Sequence, residues 1–125
     1  MPPTTNEPVL LLRLLASGAP PSVLRRLLDS HGDAATALAA GPRDWASHGC
    51  TAEACAALRN PEPATLHQGE AWLAAPRRHL LGWRDPDYPP LLRRIASPPA
   101  MLFVDGDASL LWRPAVAIVG SRRAT

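Results

Sequence analysis

The sequence lacks an apolar run long enough to cross a membrane. A membrane-spanning helix needs about 20 predominantly apolar residues. The apolar stretch Val9–Ala16 is much shorter than that and is interrupted by Arg13. The same stretch has no basic segment before it, so it does not have the pattern of a secretory signal peptide. We therefore expect a cytoplasmic protein with no membrane partner.

The sequence also has few cysteines, and their spacing excludes the common metal and redox motifs. Cys50 and Cys55 are separated by four residues, whereas zinc and dithiol motifs commonly have a gap of two. A disulfide or half of a metal site is the alternative. His48 lies nearby, but no second cluster of ligands accompanies it. We predict two free thiols on or near a helix, as is usual in the cytosol, and no metal site.

Lysine is absent, and all thirteen basic residues are arginine. With 46% apolar and 19% charged residues the composition is that of a globular protein. The fifteen prolines are dispersed, so they separate many short elements. The charge is uneven: residues 1–75 carry a net charge of −2 and residues 76–125 carry +4. This difference is a weak indication of an anionic partner for the second part.

A small helical domain is predicted over residues 9–75, after a leader of residues 1–8. Caps and breakers divide it into five or six short helices. The helices are Val9–Ala16, a helix capped by Ser22 and ended by Gly32, Ala34–Ala40 capped by Asp33, one with Pro42 in its first turn, Ala52–Arg59 capped by Thr51, and Thr65–Ala75. Such packing resembles the sterile-alpha-motif or helix-hairpin-helix class.

The first turn of this helical domain does not favour DNA binding. A helix-hairpin-helix contacts DNA phosphates through a glycine-rich turn. The corresponding segment here, residues 17–22, contains Pro20 and Pro21, which have no N–H to donate. Because the domain is also net acidic, we expect it to serve protein interaction or structure.

Residues 76–125 have a different pattern, with short apolar runs separated by turns. Predicted strands are His79–Trp83, Met101–Val104 and Ala115–Val119, with short helices at Leu91–Ile95 and Ser109–Trp112. These are the opening strands of an incomplete α/β domain, so the predicted fold class is an α+β fragment. We expect Tyr88-Pro89-Pro90 to be a packed corner, Asp105-Gly106-Asp107 to be a turn and not a metal site, and the four tryptophans to lie in the core or between domains.

The last predicted strand runs directly into a glycine turn at Gly120-Ser121-Arg122. Such a turn after a buried strand is where α/β folds present backbone N–H groups to a phosphate. The three-glycine fingerprint of dinucleotide sites is not met, because Gly120 is followed by Ser-Arg-Arg-Ala-Thr. We therefore expect no cofactor.

Three segments of the second part carry a family resemblance when taken in order. They are Asp87–Leu92, Ser97–Asp107 and Ala117–Arg122. Together they resemble the DNA-processing protein A family, also called Smf, over about residues 79–123, and the likeness extends more loosely over 9–75. The resemblance implies a sterile-alpha-motif-like domain followed by a Rossmann-like domain that binds single-stranded DNA during natural transformation. It also implies loading of the recombinase RecA, a homodimer through the complete Rossmann-like domain, and no catalytic turnover.

The site residues carried over from the family are Gly120, Ser121 and Arg122, which match its Gly-Ser-Arg motif. Glycine allows the backbone to approach a phosphate, and serine donates from its N–H and its hydroxyl. The guanidinium of Arg122 can fork onto phosphate oxygens or stack on an unpaired base. The resemblance implies no catalytic residue and no metal ligand.

Two alternatives to this function stay open at the level of sequence. One is a Rossmann-like nucleotide hydrolase, for which these residues contain no recognisable catalytic set. The other is a protein-interaction module in which the helical part alone folds. We expect residues 1–75 to fold alone, 76–125 to be marginally stable and the chain to bind DNA weakly, as an N-terminal fragment of its family would.

Overall fold

A computed structural model describes residues 7–106; residues 1–6 and 107–125 lie outside the described part. The described residues confirm an α+β fold, with six helices followed by a two-stranded antiparallel sheet. The helices are α1 (Glu7–Ala16), α2 (Pro21–His31), α3 (Ala34–Ala39), α4 (Pro42–Ser47), α5 (Ala52–Arg59) and α6 (Pro63–Leu73); the strands are β1 (Arg78–Gly82) and β2 (Met101–Asp105), with a 3-10 turn at Leu92–Arg94 between them.

Two of the three predicted side-chain caps are confirmed. The Asp33 carboxylate accepts a hydrogen bond from the Thr36 N–H at 2.8 Å, and the Thr51 hydroxyl accepts one from the Ala54 N–H at 3.1 Å. The predicted cap at Ser22 is wrong. The helix begins at Pro21, two residues before the start that a cap at Ser22 predicts, because proline has a suitable φ for the first helical position and no N–H that needs a partner there.

The end of α2 is fixed by glycine. Gly32 has a φ of 91°, a conformation that costs glycine little, and its N–H donates to the Leu28 carbonyl at 2.7 Å. His31 therefore stands on the last residue of α2, where the chain turns towards α3.

The two strands form a hairpin whose register runs from Arg78 opposite Asp105 to Gly82 opposite Met101. Neighbouring strands of a Rossmann-like sheet would instead be parallel, which requires a crossover connection that is usually a helix. The connector 83–100 contains no α-helix, and the strands meet antiparallel. The Rossmann-like and sterile-alpha-motif-like assignments stay predictions, and the predicted strand Ala115–Val119 lies outside the described residues.

The two faces of this hairpin are buried by different parts of the chain. Leu80 and Met101 belong to the main hydrophobic cluster. Its other members, apart from Ala100, lie in the helices and in the turns between them. Leu81 and Leu102 face the other way, into a smaller cluster that contains Tyr88 of the connector. Since successive residues of a strand point to opposite faces, the helices cover one face and the connector covers the other.

Two glycines allow close contacts around α1. A Cβ atom at Gly82 would lie 3.1 Å from Leu11, and one at Gly69 would lie 2.7 Å from Leu12. The backbones of β1 and α6 therefore pack directly on α1. The helical and the strand segments share one core here, although a domain boundary at residue 76 stays a prediction. Among residues 7–106, no helix is long and apolar enough to span a membrane.

Candidate nucleic-acid interface

The predicted phosphate-binding residues Gly120, Ser121 and Arg122 lie outside the described residues 7–106. The structure does describe the hairpin and connector that come before them in the chain. The connector 83–100 and β2 contain most of the first two segments on which the family resemblance rests. They are the described part of the predicted DNA-binding domain.

Tyr88 is the anchor of the connector. Its side chain is 1% exposed, and its hydroxyl donates a hydrogen bond to the Pro99 carbonyl at 2.7 Å. Burial raises the pKa of this phenol to about 12, although the neighbouring Arg93 and Arg25 act in the opposite direction. The phenol therefore stays neutral at physiological pH. The predicted packed corner is confirmed at Tyr88 and Pro89, while Pro90 is exposed.

A cluster of arginine and aromatic side chains holds the connector against α2; we call Arg25, Trp83, Tyr88 and Arg93 the arginine–aromatic clamp. The Arg93 guanidinium lies 4.6 Å from the centroid of the Trp83 ring and 4.7 Å from that of Tyr88. The two rings meet edge to face at 5.2 Å. The Arg25 guanidinium lies 5.6 Å from the Trp83 ring. These distances are those of cation–π contacts.

Hydrogen bonds also tie the clamp to carbonyl and carboxylate groups of the protein. Arg25 donates to the Pro98 carbonyl at 3.0 Å and Arg93 donates to the Asp85 carbonyl at 3.4 Å. The indole N–H of Trp83 donates to the carboxylate of Asp29 on α2 at 3.0 Å. The Trp83 ring and both guanidinium groups already contact other groups of the protein. This cluster therefore fits a structural clamp better than a surface for stacking bases.

A second cluster ties the other end of the hairpin to α6. The Arg78 guanidinium lies 4.8 Å from the Trp72 ring, donates to the Trp72 carbonyl at 3.2 Å and lies 3.5 Å from the Asp105 carboxylate. Gly106 has a φ of 131°, and its N–H donates to a carbonyl before β1. β2 thus ends at a bend at Gly106, while Asp107 lies outside the described residues and the turn Asp105-Gly106-Asp107 stays a prediction.

An open groove between α1, α6 and β1 does not suit a polyanion. Its lining includes the carboxyl groups of Glu70, Asp85 and Asp87 beside the basic side chains of Arg78 and His79. Like charges would repel a phosphate backbone at such a surface. The lining of this groove therefore does not favour a nucleic-acid partner.

The thiols are free, as predicted from their spacing. Cys50 is buried and Cys55 is half-buried. Burial is the main cause that raises the pKa of the Cys50 thiol, with Cys55 and Asp44 adding to it. A thiol with a raised pKa is protonated at neutral pH and poorly nucleophilic.

The structure also brings together three side chains that sequence reasoning treated as unrelated. His31, Asp44 and His48 each offer a ligand atom within 4.8 Å of the others. Asp44 lies on α4 and His48 comes four residues later, directly after the last residue of that helix, so this spacing is visible in the sequence. The sequence does not show that His31 lies beside these two residues, because its position depends on how α2 packs beside α4.

Comparison with known proteins agrees with the resemblance found in the sequence. Residues 79–125 match the family model described as DNA recombination-mediator protein A. The match includes the hairpin apart from Arg78, the connector and the predicted Gly120-Ser121-Arg122 turn. It confirms the resemblance to the DNA-processing protein A family over this segment. No curated protein and no solved structure matches the chain.

Proposed function

We propose, from the match of residues 79–125 to the DNA recombination-mediator protein A family, that this chain acts in DNA recombination by binding single-stranded DNA. The Gly120-Ser121-Arg122 turn is the proposed contact with the phosphate backbone. The family match is the observation that carries the proposal. We propose that the bound single strand is then transferred to RecA. This transfer involves no catalytic turnover by the chain.

The charge distribution supports a nucleic-acid partner for the second part of the chain. Residues 76–125 carry eight arginines against four aspartates, whereas residues 1–75 are net acidic. A basic groove with side chains that stack on bases is what sequence-tolerant binding of a single strand requires. Arg122 offers both functions, because its planar guanidinium pairs with phosphate and also stacks.

The described residues support this proposal by giving the binding segment a fixed base. The arginine–aromatic clamp and the Arg78–Trp72 contact attach both ends of the hairpin to helices. We therefore place the DNA contacts beyond the hairpin and assign the clamp a structural role. A site on a rigid support loses less entropy when it binds.

A protein contact with RecA or with a second copy of the chain is part of the same proposal. Leu91 and Ile95, at the 3-10 turn, are 72% and 49% exposed. They stand on either side of this turn, and exposed apolar side chains that form a contiguous patch are typical of interaction surfaces. Their position supports the use of this turn as a protein contact.

Fluorescence anisotropy with a labelled oligonucleotide tests the DNA proposal. We expect weak binding of single strands that resists competition by unlabelled duplex and falls as salt rises. Arg122→Ala should weaken binding and reduce the slope of log K against log salt by about 0.7, the value for one lost phosphate contact on a single strand.

The matched control is Arg59→Ala, which removes the same charge from an exposed position at the end of α5. This variant should bind as the unmodified chain does. Equal weakening by both variants would mean that only net charge matters. An unchanged affinity for Arg122→Ala would remove the Gly-Ser-Arg turn from the site.

A further inference from the structure

A cluster of metal-ligating side chains lies in the helical part of the molecule, in a segment that the family match does not cover. His31 is the last residue of α2, Asp44 lies in the first turn of α4, and His48 follows the last residue of that helix. Two helices that are not adjacent in sequence thus contribute the three groups.

The distances within the cluster fit a metal site after small movements. Asp44 Oδ2 lies 2.7 Å from His31 Nε2 and 3.4 Å from His48 Nδ1. The rings of the two histidines are 5.7 Å apart between centroids. Ligands bound at 2.0–2.1 Å in a tetrahedron are separated by about 3.3 Å. The Asp44–His48 separation is close to that value, and the Asp44–His31 separation is shorter by about 0.6 Å. All three ligand atoms lie within 4.8 Å of one another.

The surrounding structure holds the three groups in place. The buried Trp45, next to Asp44, donates its indole N–H to the Ala37 carbonyl at 2.8 Å, which fixes α4 against α3. Arg26 of α2 donates to the His48 carbonyl at 3.1 Å. The side chains of His31, Asp44 and His48 are 15%, 29% and 19% exposed. They are therefore constrained by packing but still open to an ion from solvent.

We propose that His31, Asp44 and His48 bind a divalent zinc ion, with solvent in the fourth position. Two imidazoles and one carboxylate are a common ligand set for zinc, and an open fourth position is usual with three protein ligands. The ion would replace the direct contact between His31 and Asp44. It would also link the end of α2 to α4.

Hydrogen bonds within the protein compete with this ion. His48 Nδ1 lies 2.9 Å from the Asp44 carbonyl and 3.4 Å from the Ser47 hydroxyl. In the metal-free protein the ring therefore has local partners. The Asp44 carbonyl can only accept, so Nδ1 donates in this contact. Zinc binding at Nδ1 requires this bond to break and the proton to move to Nε2, which is then free to donate. Such a second hydrogen bond is what orients most metal-bound histidines.

The test is a titration of the full chain with zinc, after removal of any histidine tag. We expect one zinc ion per chain by isothermal titration calorimetry and a rise in Tm with zinc concentration, since an ion that binds only the folded state stabilises it. His31→Gln and Asp44→Asn should each lower the affinity for zinc at least about tenfold. Even the loss of a residue that only hydrogen-bonds to a metal ligand has an effect of that size.

Three controls separate this site from chance binding. His67→Gln removes an exposed histidine of α6 and should leave the affinity unchanged. Cys55→Ser should also leave it unchanged; a large loss in that variant would assign the zinc to the thiols and overturn the proposal. Equal affinities for His31→Gln, His67→Gln and the unmodified chain would overturn it as well.

A measurement on the unmodified chain keeps the proposal testable even if a variant fails to fold. Paramagnetic cobalt, added as a zinc substitute, should shift or broaden the NMR signals of the His31 and His48 rings. The rings of His67 and His79 should respond much less. Uniform broadening of all four histidines, or none at all, would contradict a site at this position.

Discussion

The helical part of the molecule (residues 7–73) and the hairpin part (residues 78–106) are stabilised in different ways. The helices bury leucine and alanine side chains in one cluster, and side-chain caps at Asp33 and Thr51 satisfy N–H groups at helix starts. The hairpin contributes few residues to that cluster. It is attached by arginines that contact tryptophan and tyrosine rings and donate to carbonyl groups. A conventional apolar core is thus extended by a two-stranded sheet that has apolar residues on both faces and is also held by arginine–aromatic contacts.

This difference bears on whether the parts fold independently. Leu80, Ala100 and Met101 belong to the same cluster as the leucines of α1 and α2. Without the hairpin, the helices would expose part of their apolar surface, and each Å² of such surface is worth about 25 cal/mol. We still expect residues 1–75 to fold alone, but with a lower Tm than the whole chain.

The largest effect is expected from a pair of neighbours on β2 that face opposite clusters. Met101 and Leu102 are both fully buried, and replacement of either by alanine should lower the free energy of unfolding by about 2–5 kcal/mol. Met101→Ala should increase amide exchange in α1 and α2, because Met101 packs in their cluster. Leu102→Ala should increase exchange mainly in the connector. Hydrogen exchange read by mass spectrometry distinguishes them, and identical exchange patterns would mean that the two clusters unfold as one.

A smaller effect is expected at the arginine–aromatic clamp. Arg93→Gln removes a cation from two ring faces and should lower the free energy of unfolding by about 1–2 kcal/mol. The control is Arg94→Gln, which changes an exposed neighbour and should stay within about 0.5 kcal/mol of the unmodified chain. Urea unfolding measures both. If Arg93→Gln and Arg94→Gln are equally stable, the contacts of Arg93 with the two rings add nothing to the free energy of unfolding beyond the effect of its charge.

The smallest effect belongs to the helical part and depends on pH. Asp33→Ala removes a helix cap and should cost about 1 kcal/mol at neutral pH. Hydrogen bonds from Thr36 lower the pKa of the Asp33 carboxyl below its ordinary value of 3.8. The stabilisation is therefore present above that pH and is lost as the pH falls through the lowered pKa.

Thermal unfolding at a series of pH values checks this dependence. The gap in Tm between Asp33→Ala and the unmodified chain should close on acidification. Ser22→Ala is the control, since Ser22 forms no cap in the structure, and it should have little effect at any pH. A gap that stays constant down to pH 3 would show that the carboxylate is not the stabilising group.

Local structure was largely predictable from the sequence, because the relevant interactions connect residues close together in the chain. The caps at Asp33 and Thr51, the end of α2 at Gly32 and both described strands were found in this way. The exception at Ser22 has a local cause as well. Two prolines precede it, and the second already occupies the first helical position.

Contacts between distant segments were not predictable in the same way. The clamp joins Arg25 of α2 to Trp83 and Arg93, and the histidine cluster joins His31 to a later helix. Neither cluster has a sequence motif, because which residues meet depends on how the helices pack. The antiparallel pairing of β1 with β2 was missed for a related reason, since the family resemblance led us to expect a Rossmann-like sheet. The Gly120-Ser121-Arg122 turn lies outside the described residues and stays a prediction.

The hairpin described above has a consequence for the order of folding. Its strands are joined by the long connector 83–100, whereas the helices form from contacts within a few residues. Closing a long loop costs entropy before any strand contact forms, so non-local pairs are slow to form. We expect the helices to assemble first and β1 and β2 to join them afterwards. During synthesis, part of the apolar surface of the helical part would then stay exposed until β2 has emerged from the ribosome.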